Sequence, residues 1–355
     1  MEYHEMRDTA PKQSQKRNIM GVQMKRYVYL TIAMALILGW IFNPRGWTQT
    51  EEPYPTRKIT YVVCFDPDGQ ADRAARMQQP LLEKILKQKV IIDYTIGGGG
   101  AIGWGRLVRA KPDGYTMAGF NVPHIILQPL LGQAQPLIMG QIRYKTEQIV
   151  PITIFQRTPL ALAVLKKSPY KTYQSFIDAA RKNPGELTIG CSGTFSGFHM
   201  AALRLEKLAG AQFAIHCYTG SAREMEGFLN GEFDAIFGAS DDLTRYKDES
   251  LVLAFATEQR FPGFPDVPTF RELNVDLLEA VDRGVAVPPK TPKHIIKNLE
   301  TAFLKIATSA ETQAEMKKQG SIPVAMGHDE SVAYITKMTP VYKKLVASLA
   351  KEVVR

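Results

Sequence analysis

Residues 59–72 read ITYVVCFDPDGQAD, a β-rich run that ends in a turn of aspartate, proline and glycine. The following residues, 72–87, have the apolar spacing of an amphipathic helix, and Pro80 inside it predicts a kink or a split. The next predicted elements are a strand, a helix and a strand over residues 90–96, 102–110 and 115–120. Strands that alternate with helices in this way predict a mostly parallel sheet with both faces covered.

The alternation of strands and helices returns in the second half of the chain. Strands are predicted over residues 160–165, 187–191, 213–218, 235–237 and 251–257. Helices are predicted over residues 173–182, 199–209, 223–230, 291–308, 310–319 and from 330 towards the end. Two α/β halves in one chain predict a two-lobed α/β protein.

The composition is that of a globular protein of 355 residues, long enough for two domains. A hydrophobic content of 45% and a charged content of 22% exclude wholesale disorder and a polytopic membrane protein. The net charge is +9, but the body of the chain has no basic stripe with interleaved aromatic residues. The charge therefore gives no indication of a nucleic-acid partner.

The N-terminal region has the pattern of an export signal. Residues 28–42, VYLTIAMALILGWIF, are uncharged and follow Lys25 and Arg26. The run is shorter than the roughly 20 residues that a spanning helix needs, and it fits the apolar core of a secretory signal. No A-x-A cleavage site follows it, so the segment is either cleaved elsewhere or retained as a membrane anchor. The working part starts near Glu51, outside the cytoplasmic membrane.

Loops rich in small residues follow several of the predicted strands. They cover residues 65–72, 96–103, 190–199 and 218–222. In open α/β sheets, ligands bind at the carboxyl ends of strands, where helix N-termini offer unpaired N–H groups. Four such loops in one chain predict a cleft that binds an anion.

Known catalytic and cofactor motifs are absent from these loops. A G-x-G-x-x-G match begins at Gly98, but Asn121 stands where a dinucleotide site needs an acidic residue. Cys191 and His199 could form a dyad across a turn, but a strand-end residue and a helix-cap histidine explain them better. The histidines lack metal-binding spacing, and three scattered cysteines are too few for a metal site. We predict no catalytic residue, metal or cofactor.

Short motifs in the loops and turns are spread over residues 53–293. They are Tyr54–Thr60, Pro67-x-Gly69-x-x-Asp72, Gly97–Gly103, Lys111–Thr116, Asn183–Gly185, Gly190-x-x-Gly193, Tyr218-x-Gly220-Ser221, Pro265–Thr269, Arg283–Pro288 and Thr291–Lys293. In this order they resemble the extracytoplasmic solute-binding proteins of tripartite tricarboxylate transporters, the Bug-type receptors. The helical tail to residue 355 is compatible with that family but carries no motif.

The resemblance implies a type II-like periplasmic-binding-protein fold, a Venus flytrap with a hinge between two lobes. After the N-terminal segment, residues 1–50, the discontinuous first lobe would comprise residues 53–157 and 255–355, and the second lobe residues 158–254. Such a protein captures a small organic acid, often a carboxylate, and delivers it to a two-component membrane permease. The resemblance thus implies a periplasmic monomer that is not an enzyme.

The resemblance also indicates which loop residues bind the ligand. They are Phe65, Gly69 and Asp72, Gly100 and Ala101, Thr194, Ser196 and His199, and Tyr218, Gly220 and Ser221. Backbone N–H groups at helix N-termini, together with hydroxyl groups, would hold an anion, and closure of the lobes would exclude water.

Three features depart from the family pattern or add to it. Asp68 replaces a common glycine, and if it faces the cleft it disfavours di- and tricarboxylates; a solvated turn position is the alternative. Asp282-Arg283 stands where the family often has an aromatic residue before a Gly-x-x-x-Pro run, and Arg283 pairs either with a ligand carboxylate or with Asp282. Cys191 and Cys217 end neighbouring strands by the family's plan, and export would allow a disulfide between them.

Two other functions remain open on the sequence alone. A ligand-sensing receptor could use the same fold and pass occupancy to a membrane sensor. An exported enzyme could use the same cleft, although no convincing nucleophile or base is present. Replacing Ser196 and His199 by alanine separates the enzyme from the binding protein, because only an enzyme has turnover to lose.

Overall fold

The computed structural model describes residues 28, 30–34, 53–134 and 142–349. The chain divides into two compact units, Met1–Pro53 and Tyr54–Arg355. In the first unit residues 28 and 30–34 are helical, and the rest of the predicted targeting segment lies outside the described residues. Within the described ranges, no helix is long and apolar enough to cross a membrane.

The second unit contains strands and helices in near alternation. The strands are β1 Ile59–Val63, β2 Val90–Tyr94, β3 Thr116–Val122, β4 Val150–Leu165, β5 Thr188–Ser192, β6 Ala214–Tyr218, β7 Ala235–Ala239, β8 Ser250–Phe255, β9 Ala280–Val287 and β10 Ile322–Met326. The helices are α1 Gln70–Leu86, α2 Ala101–Leu107, α3 His124–Ala134, α4 Tyr173–Lys182, α5 Gly197–Ala209, α6 Ser221–Asn230, α7 Ser240–Arg245, α8 Lys293–Ala307, α9 Ala310–Lys318 and α10 His328–Ser348.

Strand β4 belongs to two sheets and joins them. Up to Pro159 it pairs with β9, which continues the first sheet through β3, β1 and β2, and β10 pairs with the same part of β4. From Leu160 onward β4 pairs with β7 and β8, and β7 leads through β5 to β6 in the second sheet. The 16-residue strand is long enough to serve both sheets in succession.

The sheets are mixed, so the prediction of a mostly parallel sheet is wrong. The pairs β1–β2, β1–β3, β5–β6 and β5–β7 are parallel, whereas every pairing of β4 and β9 is antiparallel. The sequence patterns missed β9, β10 and the first ten residues of β4. Prolines disfavour the interior of a strand, but Pro151 lies near the start of β4 and Pro159 lies where β4 leaves the first sheet.

Both faces of the second sheet are covered, as predicted. Leu160, Leu162 and Val164 of β4 pack in one core with α4 and α5, and the alternate residues of the same strand pack in another core with α6. This division follows from the two-residue period of side chains along a strand.

Helix α1 runs without interruption, so the predicted split at Pro80 does not occur. Ala75 before the proline and Leu82 after it are fully buried against the first sheet. Their burial holds both halves of the helix in place despite the missing N–H donor.

A disulfide joins Cys191 to Cys217 across β5 and β6, where the two residues are register partners. The third cysteine, Cys64, is free and buried, and burial raises the pKa of its thiol to about 12.

Candidate functional site

A small buried cavity lies between the two sheets, at the carboxyl ends of β1, β3 and β5. It is lined by Phe65, Gln70, Ala71, Asn121, His124, Ser192, Phe198, Ser221 and Arg283. Its volume is about 10 Å³, which is room for no more than a water molecule. The cleft is therefore closed in this structure, and a solute can enter only when the walls separate.

Four helix N-termini converge on this cavity. Gln70, His124 and Ser221 are the first residues of α1, α3 and α6, and Phe198 is the second residue of α5. Each helix N-terminus carries a partial positive charge and unpaired N–H groups, which attract anions. All four helices are at least ten residues long, so each has a full set of aligned peptide dipoles.

Two polar side chains of the cavity have unused hydrogen-bonding atoms. Neither His124 Nδ1 nor Arg283 Nε has a hydrogen-bond partner among the described residues, although both side chains are buried. Burial, with the nearby Arg283 charge adding to it, lowers the pKa of His124 to about 3, so the ring is neutral at physiological pH. A buried polar atom without a partner is expected to meet a ligand or water.

The loops from the two sheets touch each other around the cavity. Thr219 Oγ1 donates to Asp66 Oδ2 at 2.7 Å, and the Gln70 backbone N–H donates to Ser221 Oγ at 3.1 Å. Gly99 lies so close to the third loop that a Cβ there would come within 3.2 Å of Thr194 O.

Charged residues of α1 and α7 add a second set of contacts between the sheets. Arg73 bonds Asp242 at 2.6 Å and lies 3.5 Å from Asp241, and Gln70 Nε2 donates to Asp242 at 2.5 Å. Burial and the neighbouring Asp242 raise the pKa of Asp241 to about 6. Glu224 is buried with neither carboxyl oxygen bonded within the described chain, and burial raises its pKa well above the usual range.

Comparison with known proteins identifies the family. Residues 74–350 match the profile of the tripartite tricarboxylate transporter family receptor. The chain belongs to this family. Its members are periplasmic solute-binding receptors that take small organic acids and work with transporters, and it is not a family of enzymes.

Individual relatives agree with the family match. BugT of Bordetella pertussis is 27% identical over 293 residues, which cover 80% of this chain and 86% of BugT. The structure of Rpa4515 of R. palustris with adipate has a TM-score of 0.77 at 23% identity and covers 84% of this chain and 99% of its own. The structure of MatC of Rhodopseudomonas palustris with bound malate has a TM-score of 0.75 at 20% identity, and the match covers 82% of this chain and 100% of the MatC chain. The sequence resemblance and the two-lobed α/β binding-protein fold are thereby confirmed.

The structure brings four of the eleven receptor residues indicated by the sequence to the cavity or its edge. Phe65 and Ser221 line it. Gly69 and Gly220 lie where the first and fourth loops meet, since a Cβ on Gly69 would lie 3.4 Å from Ser221 Oγ and one on Gly220 would lie 2.9 Å from Asp66 Oδ2. Gly100, Ala101 and Thr194 belong to the second and third loops, where Gly100 packs against the Trp104 ring.

The other four residues are bonded to partners outside the cavity lining. Asp72 accepts from Tyr94 Oη at 2.7 Å and from Arg76, and Tyr218 donates to Glu232 at 2.5 Å. Ser196 Oγ caps α5 by accepting from the His199 backbone N–H at 3.2 Å. His199 Nδ1 in turn accepts from the Phe195 backbone at 3.1 Å, and burial lowers its pKa to about 4.

Several lining residues were not predicted from the sequence. They are Gln70, Ala71, Asn121, His124, Ser192 and Phe198. Most of them begin a helix or end a strand. The signal that could have found them is therefore an accurate set of helix starts, and α3 was missed altogether.

The two charged departures from the family pattern have different surroundings. Asp68 has an exposed side chain in the turn before α1 and does not line the cavity. Its charge therefore gives no reason to exclude dicarboxylates as ligands. Arg283 lines the cavity, whereas Asp282 bonds Arg157 at 2.6 and 3.0 Å and Tyr334 at 2.5 Å.

Proposed function

We propose that this receptor binds the carboxylate of a small organic acid in the cavity between its two sheets. The observation that carries the proposal is the convergence of four helix N-termini on one buried cavity. An anion held there gains from the helix dipoles and from N–H donors without needing a fixed counter-ion. The adipate and malate bound in two similar structures are carboxylates of this size class.

Within the cleft, we propose that the four loops supply the ligand contacts. Phe65 and Ser221 would contact the solute directly, and Gly69 and Gly220 would allow the loops to approach it closely. Gly100, Ala101 and Thr194 would contribute backbone groups once the cleft opens and closes around the solute. Asp72, Ser196, His199 and Tyr218 would act by holding these loops in shape.

The lobes are inferred to comprise residues 53–157 with 255–355, and residues 158–254. The support for this division is the passage of β4 from one sheet to the other between Pro159 and Leu160. The second crossing is inferred near Ala256, whose carbonyl accepts a hydrogen bond from the Glu279 backbone N–H at 3.0 Å.

The finer features of the transport role are also proposals. We propose that the receptor is a monomer that delivers its solute to a two-component membrane permease, as its family implies. The apolar run at residues 28–42 would direct export and could persist as an anchor.

The absence of catalysis is part of the proposal. Ser196 Oγ and His199 Nδ1 each accept a hydrogen bond from a backbone N–H. The serine hydroxyl and the imidazole are therefore not bonded to each other, as a nucleophile and its general base would be. We expect a Ser196→Ala, His199→Ala variant to change solute affinity only, with no turnover of the bound acid by either protein.

A thermal-shift screen of the purified protein tests the binding function. The panel contains mono- and dicarboxylates, amino acids and neutral aromatic compounds. A ligand at about 100 times its dissociation constant stabilises the folded protein by roughly 2.7 kcal/mol, which raises the melting temperature measurably. We expect hits among the carboxylates, and hits confined to neutral compounds would overturn the proposal.

A further inference from the structure

Arg283 occupies an unusual place for a charged side chain. It lies in the middle of β9, is 3% exposed and forms part of the cavity wall. Its register partner on β3 is Asn121, which lines the same cavity. Paired residues on adjacent strands point to the same face, so Asn121 and Arg283 present a donor-rich surface to the cavity.

The guanidinium of Arg283 is bonded to neutral oxygens only. Nη1 donates to Thr158 Oγ1 at 2.5 Å, Nη2 donates to Gln70 Oε1, and Nε has no partner in the described chain. A buried cation is costly unless an anion compensates it at hydrogen-bonding distance. This guanidinium therefore has the donor capacity and the electrostatic need for a carboxylate.

The neighbouring carboxylates are engaged elsewhere or are not bonded to it. Asp282 lies on the same strand but bonds Arg157 and Tyr334. Asp242 accepts from Arg73 and Gln70. Asp241, Asp242 and Asp282 are all close enough to interact with the charge of Arg283, yet no hydrogen bond joins any of them to its guanidinium.

We propose that Arg283 binds the second carboxylate of a dicarboxylate, and that it makes this receptor select dicarboxylates over monocarboxylates of equal length. The inference rests on the proposed function, because the first carboxylate is the one held at the helix N-termini. Nε–H and Nη2–H form one edge of the guanidinium, which matches the two oxygens of a carboxylate. On binding, the carboxylate replaces Gln70 Oε1 at Nη2 and fills the open position at Nε.

Calorimetric titration with matched acids tests this selection. Each pair differs by the exchange of a terminal methyl for a carboxylate: butanoate and succinate, pentanoate and glutarate, hexanoate and adipate. We expect the purified full-length protein to bind at least one dicarboxylate about 10- to 100-fold more tightly than its partner, the range for a charge-assisted bidentate contact. In Arg283→Gln this preference disappears, while monocarboxylate affinity changes less than about threefold.

Two further variants separate recognition from a purely structural role. Arg76→Gln removes another arginine, 55% exposed on α1 and bonded to Asp72, and should keep the preference. Asp241→Asn should keep it as well. If Arg283 instead acts by closing the cleft on Asp241, Asp241→Asn will reproduce the effect of Arg283→Gln.

The possible outcomes separate the role of Arg283 from the proposed carboxylate-binding function. The role of Arg283 is overturned if Arg283→Gln lowers the affinity for the monocarboxylate and the dicarboxylate of a pair equally, or if it leaves the preference unchanged. Either result is still compatible with the proposed carboxylate site. Equal affinity for both members of every pair in the parent protein also overturns this role and is compatible with that site. If the parent protein binds no acid of either series, the proposed function fails with the inference.

Discussion

Gly284 lies on β9 next to Arg283, at a position where a methyl group has no room. A Cβ there would come within 2.4 Å of both the Phe120 ring and the Thr153 carbonyl oxygen. The carbonyl belongs to the backbone of β4 and cannot move without shifting that strand. We therefore expect Gly284→Ala to lower the free energy of unfolding by about 1–3 kcal/mol, measured by chemical denaturation.

Gly119 provides the matched control for this substitution. It lies on the adjacent strand β3, and a Cβ there would meet only Tyr61, at 3.7 Å, which is ordinary contact. Gly119→Ala should leave stability within about 1 kcal/mol of the parent. Similar losses for the two alanines would contradict the crowding at Gly284.

Glu279 predicts a pH dependence of stability. Burial raises the pKa of this carboxyl from 4.5 to about 7, although Arg204 and the Tyr342 hydroxyl bond it at 3.2 and 3.0 Å. Because the folded state holds the proton more tightly, Glu279 contributes stability that is fully present below about pH 4.5 and is lost as the pH rises through about 7. The loss amounts to roughly 3 kcal/mol.

The test compares denaturation of the parent protein with that of Glu279→Gln across this pH range. The parent should lose roughly 3 kcal/mol more than the variant between pH 4.5 and 7.5, and nothing further above that. His124 and His199 also have shifted pKa values, but their contribution to the pH dependence of stability is the same in the parent and in the variant. Identical pH profiles would mean that Glu279 titrates normally.

At the scale of elements, the disulfide joins two strands whose ends carry cleft loops. Cys191 directly precedes the cavity residue Ser192, and Cys217 is the last residue but one of β6, shortly before Ser221. The crosslinked residues are 26 apart in sequence, for which chain entropy gives roughly 3 kcal/mol of stabilisation. We expect a Cys191→Ser, Cys217→Ser variant to unfold at lower denaturant and to bind its solute more weakly, measured by calorimetry.

Reduction of the parent protein gives an internal control for the disulfide. A reducing agent should lower the melting temperature of the parent and leave that of the double variant unchanged. The disulfide does not support the loops if the reducing agent changes the melting temperatures of the parent and the double variant equally. The same conclusion follows if the reduced parent and the double variant bind the solute as tightly as the oxidised parent.

The elements also show what sequence patterns can and cannot predict. Helix α4 was predicted with its observed bounds, because Thr172 caps it and an Asn-Pro-Gly turn ends it. Strand β9 was missed since Asp282 and Arg283 interrupt its apolar pattern, and their partners come from distant parts of the chain. Helix α3 was missed because its start, HIILQPLL, is mostly apolar and has no amphipathic period.

The sequence indicates which loops form the candidate site, but not which of their residues face the cavity. The glycine-rich loops mark the strand ends in sequence, so Phe65 and Ser221 could be indicated from their motifs. Whether a loop residue faces the cavity depends on tertiary contacts. Asp72 belongs to a loop motif yet bonds Tyr94 and Arg76, and His124 follows no motif yet lines the cavity.

For the whole molecule, the closed cleft depends on contacts between the sheets. Arg73 on α1 bonds Asp242 on α7 at 2.6 Å, and in the proposed binding cycle this contact breaks when a solute enters and re-forms around it. We expect Arg73→Gln to weaken solute binding roughly threefold to tenfold, and to raise the radius of gyration of the solute-free protein in X-ray scattering. Arg76→Gln should do neither, and equal effects of both variants would argue against this contact.

The anion site itself can be tested without any variant, by calorimetric titration of the purified protein with succinate, glutarate and adipate and with the diamide of each. An acid and its diamide have nearly the same shape but differ in charge. If four helix N-termini form the site, at least one acid should bind at least tenfold more tightly than its diamide, by analogy with other anions at helix N-termini. A diamide that binds as tightly as its acid, or a site that accepts only neutral solutes, would contradict the anion site.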